Sequence, residues 1–407
     1  MKHVIIGAGA AGISAARTLR KQSAVDEIVM IATDRLAYSR CMLHKYIGGE
    51  RDEKGISFVE EDFFESNRIR FCSDRTVTKI DTSNHQVCFA DGVESYDKLL
   101  IATGAESFFP PIPGLKGAKN VFGLRDLVDA RAIKSQGSKA KHVVVIGAGL
   151  VGLDVAYGLL EMGKKPTVVE MADTILSSNL DASAALTYQM KFEEAGCMFK
   201  LGCKVEGVLS DASGQVSAIT LGDGSQLNCD LLVVASGVRP SIGWLADSGI
   251  VCERGVVVDN YLATNIANVY AAGDVTGLSE SWPNAVEQGE VAAQNMLGMP
   301  NEYTDTFSLK NTIHFFGIPS LSVGRLNGKE GDVEESREDR KRYQKVILRD
   351  GIPVGVILQG DISRSGFWQQ LIKNKVDVSG RSKDIWKVSF ADSYGIEDNG
   401  EYKWLFD

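Results

Sequence analysis

An α/β chain that uses one nucleotide-binding design twice is what this sequence predicts, and three observations carry the prediction. A glycine-rich turn follows an apolar run at His3-Val4-Ile5-Ile6-Gly7-Ala8-Gly9-Ala10-Ala11-Gly12. A second follows another run at Val143-Val144-Val145-Ile146-Gly147-Ala148-Gly149-Leu150-Val151-Gly152. Each half later repeats an apolar run that closes on glycine, Leu99-Leu100-Ile101-Ala102-Thr103-Gly104 and Leu231-Leu232-Val233-Val234-Ala235-Ser236-Gly237. From about residue 308 the echo stops and a different tail begins.

In a Gly-x-Gly-x-x-Gly turn the first glycine permits the tight bend and the second lets backbone approach a pyrophosphate. The third allows the helix to pack closely on its strand. The amides and positive dipole at the helix start then hold the anion. Residues 3–31 read as strand, turn, helix from Ile13 to Gln22 and strand from Glu27 to Ile31, the opening of a Rossmann-like unit. A polar and aromatic loop, 34–50, leads into a helix near Met42 to Ile47. Strands around Thr76–Ile80 and Gln86–Phe89, with Asp91-Gly92 as turn, form a hairpin. Pro110, Pro111 and Pro113 suit a crossing between domains better than a helix. The second unit starts at His142, has Thr167–Glu170 as its next strand, and repeats the hairpin at Lys204–Ser210 and Val216–Leu221. In the tail, Tyr343–Leu348 and Val354–Gln359 read as a hairpin across Asp350-Gly351, and the charged stretch Glu330–Lys341 as a solvated loop or edge. Aromatics at Ile385–Phe390 and at Tyr402-Lys403-Trp404-Leu405-Phe406 either dock on the same chain or cover a subunit or partner surface.

At 407 residues and 44% hydrophobic the chain has room for two or three domains. A net charge of -9 without a long basic block argues against a nucleic-acid partner. No apolar stretch approaches the ~20 residues of a membrane span, and the first strand begins at the N-terminus, so neither membrane insertion nor a signal peptide is expected. A cytoplasmic location follows. Seven cysteines (41, 72, 88, 197, 203, 229 and 252) lack close spacing, which argues against a disulfide framework and a thiolate metal site; no metal is expected. Two cradles in one chain point to two dinucleotides meeting head to head, as when a flavin accepts hydride from a nicotinamide.

The paired cradles, Leu100-Ile101-Ala102-Thr103-Gly104, Ala235-Ser236-Gly237-Val238-Arg239-Pro240 and Val269-Tyr270-Ala271-Ala272-Gly273-Asp274-Val275 together resemble the FAD-dependent pyridine nucleotide-disulfide oxidoreductase superfamily over roughly residues 1–300. The resemblance implies two Rossmann-like domains of the three-layer ββα type with the second inserted in the first. FAD would occupy 1–112 with 240–307, and NADH 113–239. A small α+β interface domain, 308–407, would follow. Gly7, Gly9, Ala10, Ala11, Gly12 and Asp274 are then expected at FAD, and Gly147, Gly149, Leu150, Val151 and Gly152 at NADH. Arg40, Thr103, Gly104, Arg125, Gly237 and Gly273 join them as cofactor-binding positions. Glu170, at the end of its strand, can accept from both ribose hydroxyls and would repel a 2′-phosphate, which favours NADH over NADPH. Asp34 is assigned to the FAD ribose.

Tyr38-Ser39-Arg40-Cys41-Met42-Leu43-His44-Lys45-Tyr46 decides the acceptor. Members with a redox-active pair have two cysteines here, and this chain has only Cys41. The place of Cys41 is similar to that in single-cysteine NADH oxidases, NADH peroxidases and coenzyme A disulfide or polysulfide reductases. The surrounding pattern looks like rubredoxin reductases and the flavin domain of nitrite reductases. Met42 and Ala10 stand where many oxidases and peroxidases have glycine and histidine, which favours electron transfer to a small redox protein such as rubredoxin over a small disulfide or peroxide substrate. Ferredoxin reductases of this superfamily often pair a Lys with a Glu beside the flavin. Those places read His44 or Lys45, and Asp154, and a carboxylate there is expected to favour the charged imidazole. By analogy with relatives, a homodimer is expected.

Overall fold

The structure, a computed structural model, describes residues 1–305, 310–382 and 384–404. Its α-helices are α1 Ala10–Gln22, α2 Leu43–Gly48, α3 Phe63–Ser66, α4 Leu127–Lys139, α5 Leu150–Glu161, α6 Ala182–Glu194, α7 Trp282–Met296 and α8 Ser365–Lys373. The chain forms two compact units, Met1–Met171 with Gly196–Ser308, and Ala172–Ala195 with Leu309–Asp407.

The first unit contains two five-stranded parallel sheets of matching construction. In one the order is Val269–Ala271, Lys98–Ile101, Lys2–Ile6, Glu27–Ile31, Ile69–Cys72. In the other it is Met198–Lys200, Thr167–Val169, Val143–Ile146, Leu231–Val234, Val121–Phe122. Each cradle strand is central, between the strand that follows its helix and the strand that closes on glycine. Val4, Ile5 and Ile6, like Val143 to Ile146, are buried on both faces, so they read as unbroken apolar runs rather than alternating ones. Each predicted hairpin has a third strand, giving Val77–Asp81, Gln86–Phe89, Gly92–Ser95 and Val205–Ser210, Val216–Leu221, Gln226–Asn228. Gly92 therefore opens a strand, and the turn falls at Ala90-Asp91. Just before the prolines, Ala105–Ser107 pairs antiparallel with Val238–Pro240, tying the two crossings together. Helix α4 has no clear signature in the sequence pattern. Its buried face is only Leu127, Ala130, Ile133 and Gly137, too sparse a stripe for a periodic reading, although Asp126 caps it by accepting from the Asp129 amide at 2.9 Å.

The second unit is a five-stranded antiparallel sheet, ordered Lys310–Phe315, Ile318–Gly324, Ile352–Gln359, Tyr343–Arg349, Asp332–Glu338, with α6 and α8. The charged stretch supplies the edge strand Asp332–Glu338, and its exposed charges are what keeps such an edge from pairing with other chains. Asp350 and Gly351 both take positive φ, 52° and 78°, which closes the predicted hairpin. Contiguity in sequence assigns α6 to the 113–239 domain, but its buried residues Ala184, Ala185, Tyr188 and Phe192 meet the C-terminal strands. Tyr188 Oη donates to the Ile318 carbonyl at 2.7 Å and meets Ser320 Oγ at 2.8 Å, and the Tyr188 and Phe192 rings pack edge-on against Phe315. A helix face declares that it is apolar; it does not declare which sheet it covers. Trp386 answers part of the aromatic question, since it packs edge-on against Trp368 of the same unit with the Arg337 guanidinium 4.8 Å above its ring. The expected boundary near 308 and the terminal Leu405 and Phe406 lie outside the described residues.

Removing one buried hydroxyl measures what fastens α6. Tyr188→Phe keeps the ring but strands the Ile318 carbonyl and Ser320, and is expected to cost about 1–3 kcal/mol. Urea unfolding followed separately for the two units should show the loss in the second, with an unchanged slope.

Candidate functional site

The two cradles are nearly superposable in their local geometry. The Gly7 amide donates to the Ile31 carbonyl at 2.8 Å and the Gly147 amide to the Val169 carbonyl at 2.8 Å. Gly7 and Gly147 take φ of +110° and +103°, which only glycine adopts without strain. A Cβ on Gly12 would lie 2.0 Å from the Gly7 carbonyl oxygen, and one on Gly152 would lie 1.9 Å from that of Gly147. A Cβ on Gly9 or Gly149 would meet nothing within 4 Å, so their backbone is open to a ligand. The turns run straight into α1 at Ala10 and Ala11, and into α5 at Leu150 and Val151, whose first amides lack helical partners.

A cavity of about 910 Å³ runs along the first cradle, near the upper limit of about 1,000 Å³ for cofactor sites. Its lining includes Gly7, Gly9, Ala10 and Ala11 of the cradle, Asp34 and Arg40, and Thr103, Gly104, Arg125, Gly273 and Asp274. Amides at a helix start, with the carboxylates of Asp34 and Asp274 in the same lining, suit a long diphosphate bearing hydroxyl groups, so these residues fit FAD. Asp34 Oδ2 accepts from Tyr38 Oη at 3.1 Å and lies 3.9 Å from the Arg40 guanidinium. Burial pushes the Asp34 carboxyl above its ordinary range, with Arg40 and Tyr38 opposing. Arg40 also donates to the Arg125 carbonyl at 2.6 Å. Arg125 in turn donates to Asp274 Oδ2 at 2.5 Å and to the Ala105 carbonyl at 2.8 Å. Gly273, at φ +82°, donates to Gln288 Oε1 at 2.8 Å, which anchors the Gly-Asp turn to α7.

In the second cradle, Glu170 Oε2 accepts from the Ala148 amide at 2.7 Å, so the strand-end carboxylate is already seated at the glycine turn. Gly237, φ +103°, follows the closing strand with open space around it.

Cys41 lines the cavity, and burial together with the Asp154 carboxyl pushes its thiol up. His44 and Asp154 are not among the lining residues. They face each other behind Cys41 with His44 Nδ1 3.4 Å from Asp154 Oδ1, on α2 and α5. The helices approach closely because residue 158 is glycine, where a Cβ would sit 2.7 Å from the His44 carbonyl oxygen. Burial lowers His44 to about 4 and raises Asp154 to about 8. Against the expectation of a charged imidazole, desolvation first and like-charge repulsion from Lys45 second push His44 toward its neutral form. Lys45 itself points elsewhere, to Glu50 at 2.7 Å. Sequence reasoning missed several cavity residues: Trp244, Trp282, and Phe108 with the Arg239 guanidinium 3.8 Å above its ring. For Trp282 a signal existed, Ser281-Trp282-Pro283, a cap and first-turn proline opening α7.

Two parallel sheets of like build, each with a glycine cradle, and a cavity of cofactor size along the first cradle define a protein built to bind two dinucleotides. The family model for pyridine nucleotide-disulphide oxidoreductases matches residues 1–289, and this chain belongs to that family. Residues 310–376 match the model of the rubredoxin NAD+ reductase C-terminal domain. The chain is 33% identical over 394 residues to the NADH-dependent phenylglyoxylate dehydrogenase subunit epsilon of Aromatoleum evansii, covering 93% of each chain. It is 31% identical to the nitrite reductase [NAD(P)H] of Bacillus subtilis, spanning 93% of this chain but 48%, about half, of that protein. Among solved structures, a ferredoxin reductase from Rhodopseudomonas palustris matches with a TM-score of 0.83 at 25% identity, over 95% of this chain and 98% of that one. The chain is accordingly an FAD-dependent NAD(P)H oxidoreductase that uses FAD and NADH.

Proposed function

We propose that the chain passes electrons from NADH to a small redox protein of the rubredoxin type. In this reading 1–112 with 240–307 hold FAD, and 113–239, without the segment Ala172–Ala195, hold NADH. When bound, FAD supplies the exchange of a two-electron hydride for single electrons. The chain's own residues bind and orient: the first cradle and Asp34 take the adenylate half, Asp274 the ribityl side, and the second cradle with Glu170 the NADH. The Ala148 amide holds Glu170 at the glycine turn, where a 2′-phosphate would meet its negative charge, so NADH is preferred. No helix among the described residues is long and apolar enough to cross a membrane.

The observation that carries the choice of acceptor is the match of 310–376 to the rubredoxin reductase C-terminal model. A thiol relay needs a thiolate, and the direction in which the Cys41 thiol is pushed, upward, fits the same reading. Anaerobic titration with NADH, followed by rubredoxin, should show Cys41→Ser reducing rubredoxin within about twofold of wild type, since no transition-state contact is lost. Uptake of a second pair of reducing equivalents that disappears in Cys41→Ser would instead establish a single-cysteine oxidase, peroxidase or disulfide reductase.

A further inference from the structure

We propose that Tyr38 is a positioning residue that holds Asp34 for the adenylate ribose and ties that end of the cavity to the N-terminus of α4. The inference rests on the assignment of the first cradle to FAD.

The geometry fixes where the phenol proton goes. Tyr38 Oη accepts from the Leu127 amide at 3.1 Å, and its single proton is donated to Asp34 Oδ2 at 3.1 Å. A hydroxyl that accepts from a fixed amide has one direction left in which to donate. The ring is 4% exposed and has little freedom to turn. Its backbone is held as firmly, since Tyr38 bridges Ser57, the Ser39 amide donates to the Ile56 carbonyl at 2.9 Å, and Ser57 Oγ donates to the Ala37 carbonyl at 3.1 Å. The Arg40 guanidinium closes the other side, 5.6 Å above the ring.

Asp34 gains two things from this arrangement. Its rotamer is set before a ligand arrives, which removes an ordering cost from binding. Its charge is also supported, because the phenol opposes the burial that pushes the carboxyl toward its neutral, weaker-accepting form. The bond has a further consequence. Leu127 opens α4, and the adjoining Arg125 carries the ion pair to Asp274, so Tyr38, Arg40 and the 125–127 segment join the two carboxylates of one cavity.

The test separates the adenylate half from the flavin half of the ligand. In cofactor-stripped protein, Tyr38→Phe is expected to weaken ADP about tenfold, the effect of losing one hydrogen bond to a charged group, while leaving FMN affinity unchanged. Tyr38→Phe added to Asp34→Ala should cost nothing more than Asp34→Ala alone, because the phenol acts through the carboxylate. Equal weakening of ADP and FMN, additive losses, or no loss of ADP affinity in Tyr38→Phe would each overturn the inference. Unchanged ADP affinity in Asp34→Ala would overturn both the inference and the assignment of Asp34 to FAD; a loss there with none in Tyr38→Phe overturns the inference alone.

Discussion

Gly152→Ala is expected to leave the protein with its full complement of FAD and to abolish the bleaching of the flavin band by NADH. The added Cβ would lie 1.9 Å from the Gly147 carbonyl oxygen, a backbone atom in a turn whose amide is already bonded to Val169. Neither partner can rotate away, so α5 must move off its strand and take the amides of Leu150 and Val151 with it. Overpacking of this kind costs about 3 kcal/mol or more, and if it falls wholly on the liganded geometry it corresponds to more than about 100-fold in NADH affinity. Gly12→Ala is the mirror experiment: its Cβ would lie 2.0 Å from the Gly7 carbonyl oxygen, and the protein should be recovered colourless. Flavin-to-protein absorbance ratios and stopped-flow mixing with NADH read the two outcomes. If Gly152→Ala emptied the flavin site while Gly12→Ala kept it, the cradles would have to exchange roles.

That pair of experiments is legible from sequence because a glycine cradle is local. Three glycines at fixed spacing, an apolar run before them and a helix after them state their own geometry, and the two cradles adopt it with almost equal φ at Gly7 and Gly147 and almost equal approaches at Gly12 and Gly152. The closing strands are readable for the same reason, being apolar throughout and ending on glycine. Legibility stops where an outcome depends on a partner far along the chain. Helix α6 shows an apolar face of small residues with one tyrosine and one phenylalanine, and nothing in that face names Phe315, Ser320 or Gln359 as its neighbours. Arg125 owes its place to Asp274, 149 residues away, and Tyr38 owes its bond to Leu127, 89 residues away. The charge state of His44 escapes a sequence reading for a related reason. Proximity to Asp154 can be guessed from two helices, whereas the burial that reverses its effect comes from all the elements around them.

The His44 and Asp154 pair should make the stability of the cofactor-free protein depend on pH in a direction opposite to that of an ordinary ion pair. Asp154 rises from 3.8 to about 8, so the folded state holds a proton that the unfolded chain gives up. Its contribution is therefore complete below about pH 3.8 and is lost progressively as pH rises through 8. His44 falls from 6.5 to about 4, so its contribution is complete above 6.5 and lost as pH falls through 4. Both shifts favour the uncharged forms of the pair near neutral pH. Asp154→Asn removes the group that alkali must ionise while keeping its size. A quarter of the Asp154 side chain remains exposed, where solvent screens part of the penalty, so the variant should exceed wild type above pH 8 by on the order of a few kcal/mol. The difference should shrink to near zero by pH 4. His44→Gln should differ from wild type chiefly below pH 6.5, which separates the two groups. Urea midpoints between pH 4 and 9 supply the measurement, with Tyr157 and Glu161 on α5, Lys45 on α2 and Glu50 just after it left intact as the surrounding charges and ring. A gap between Asp154→Asn and wild type that stayed constant across that range would mean that Asp154 ionises in the folded state as readily as in the unfolded one. The pair would then be a surface ion pair, and Cys41 would face a permanent negative charge.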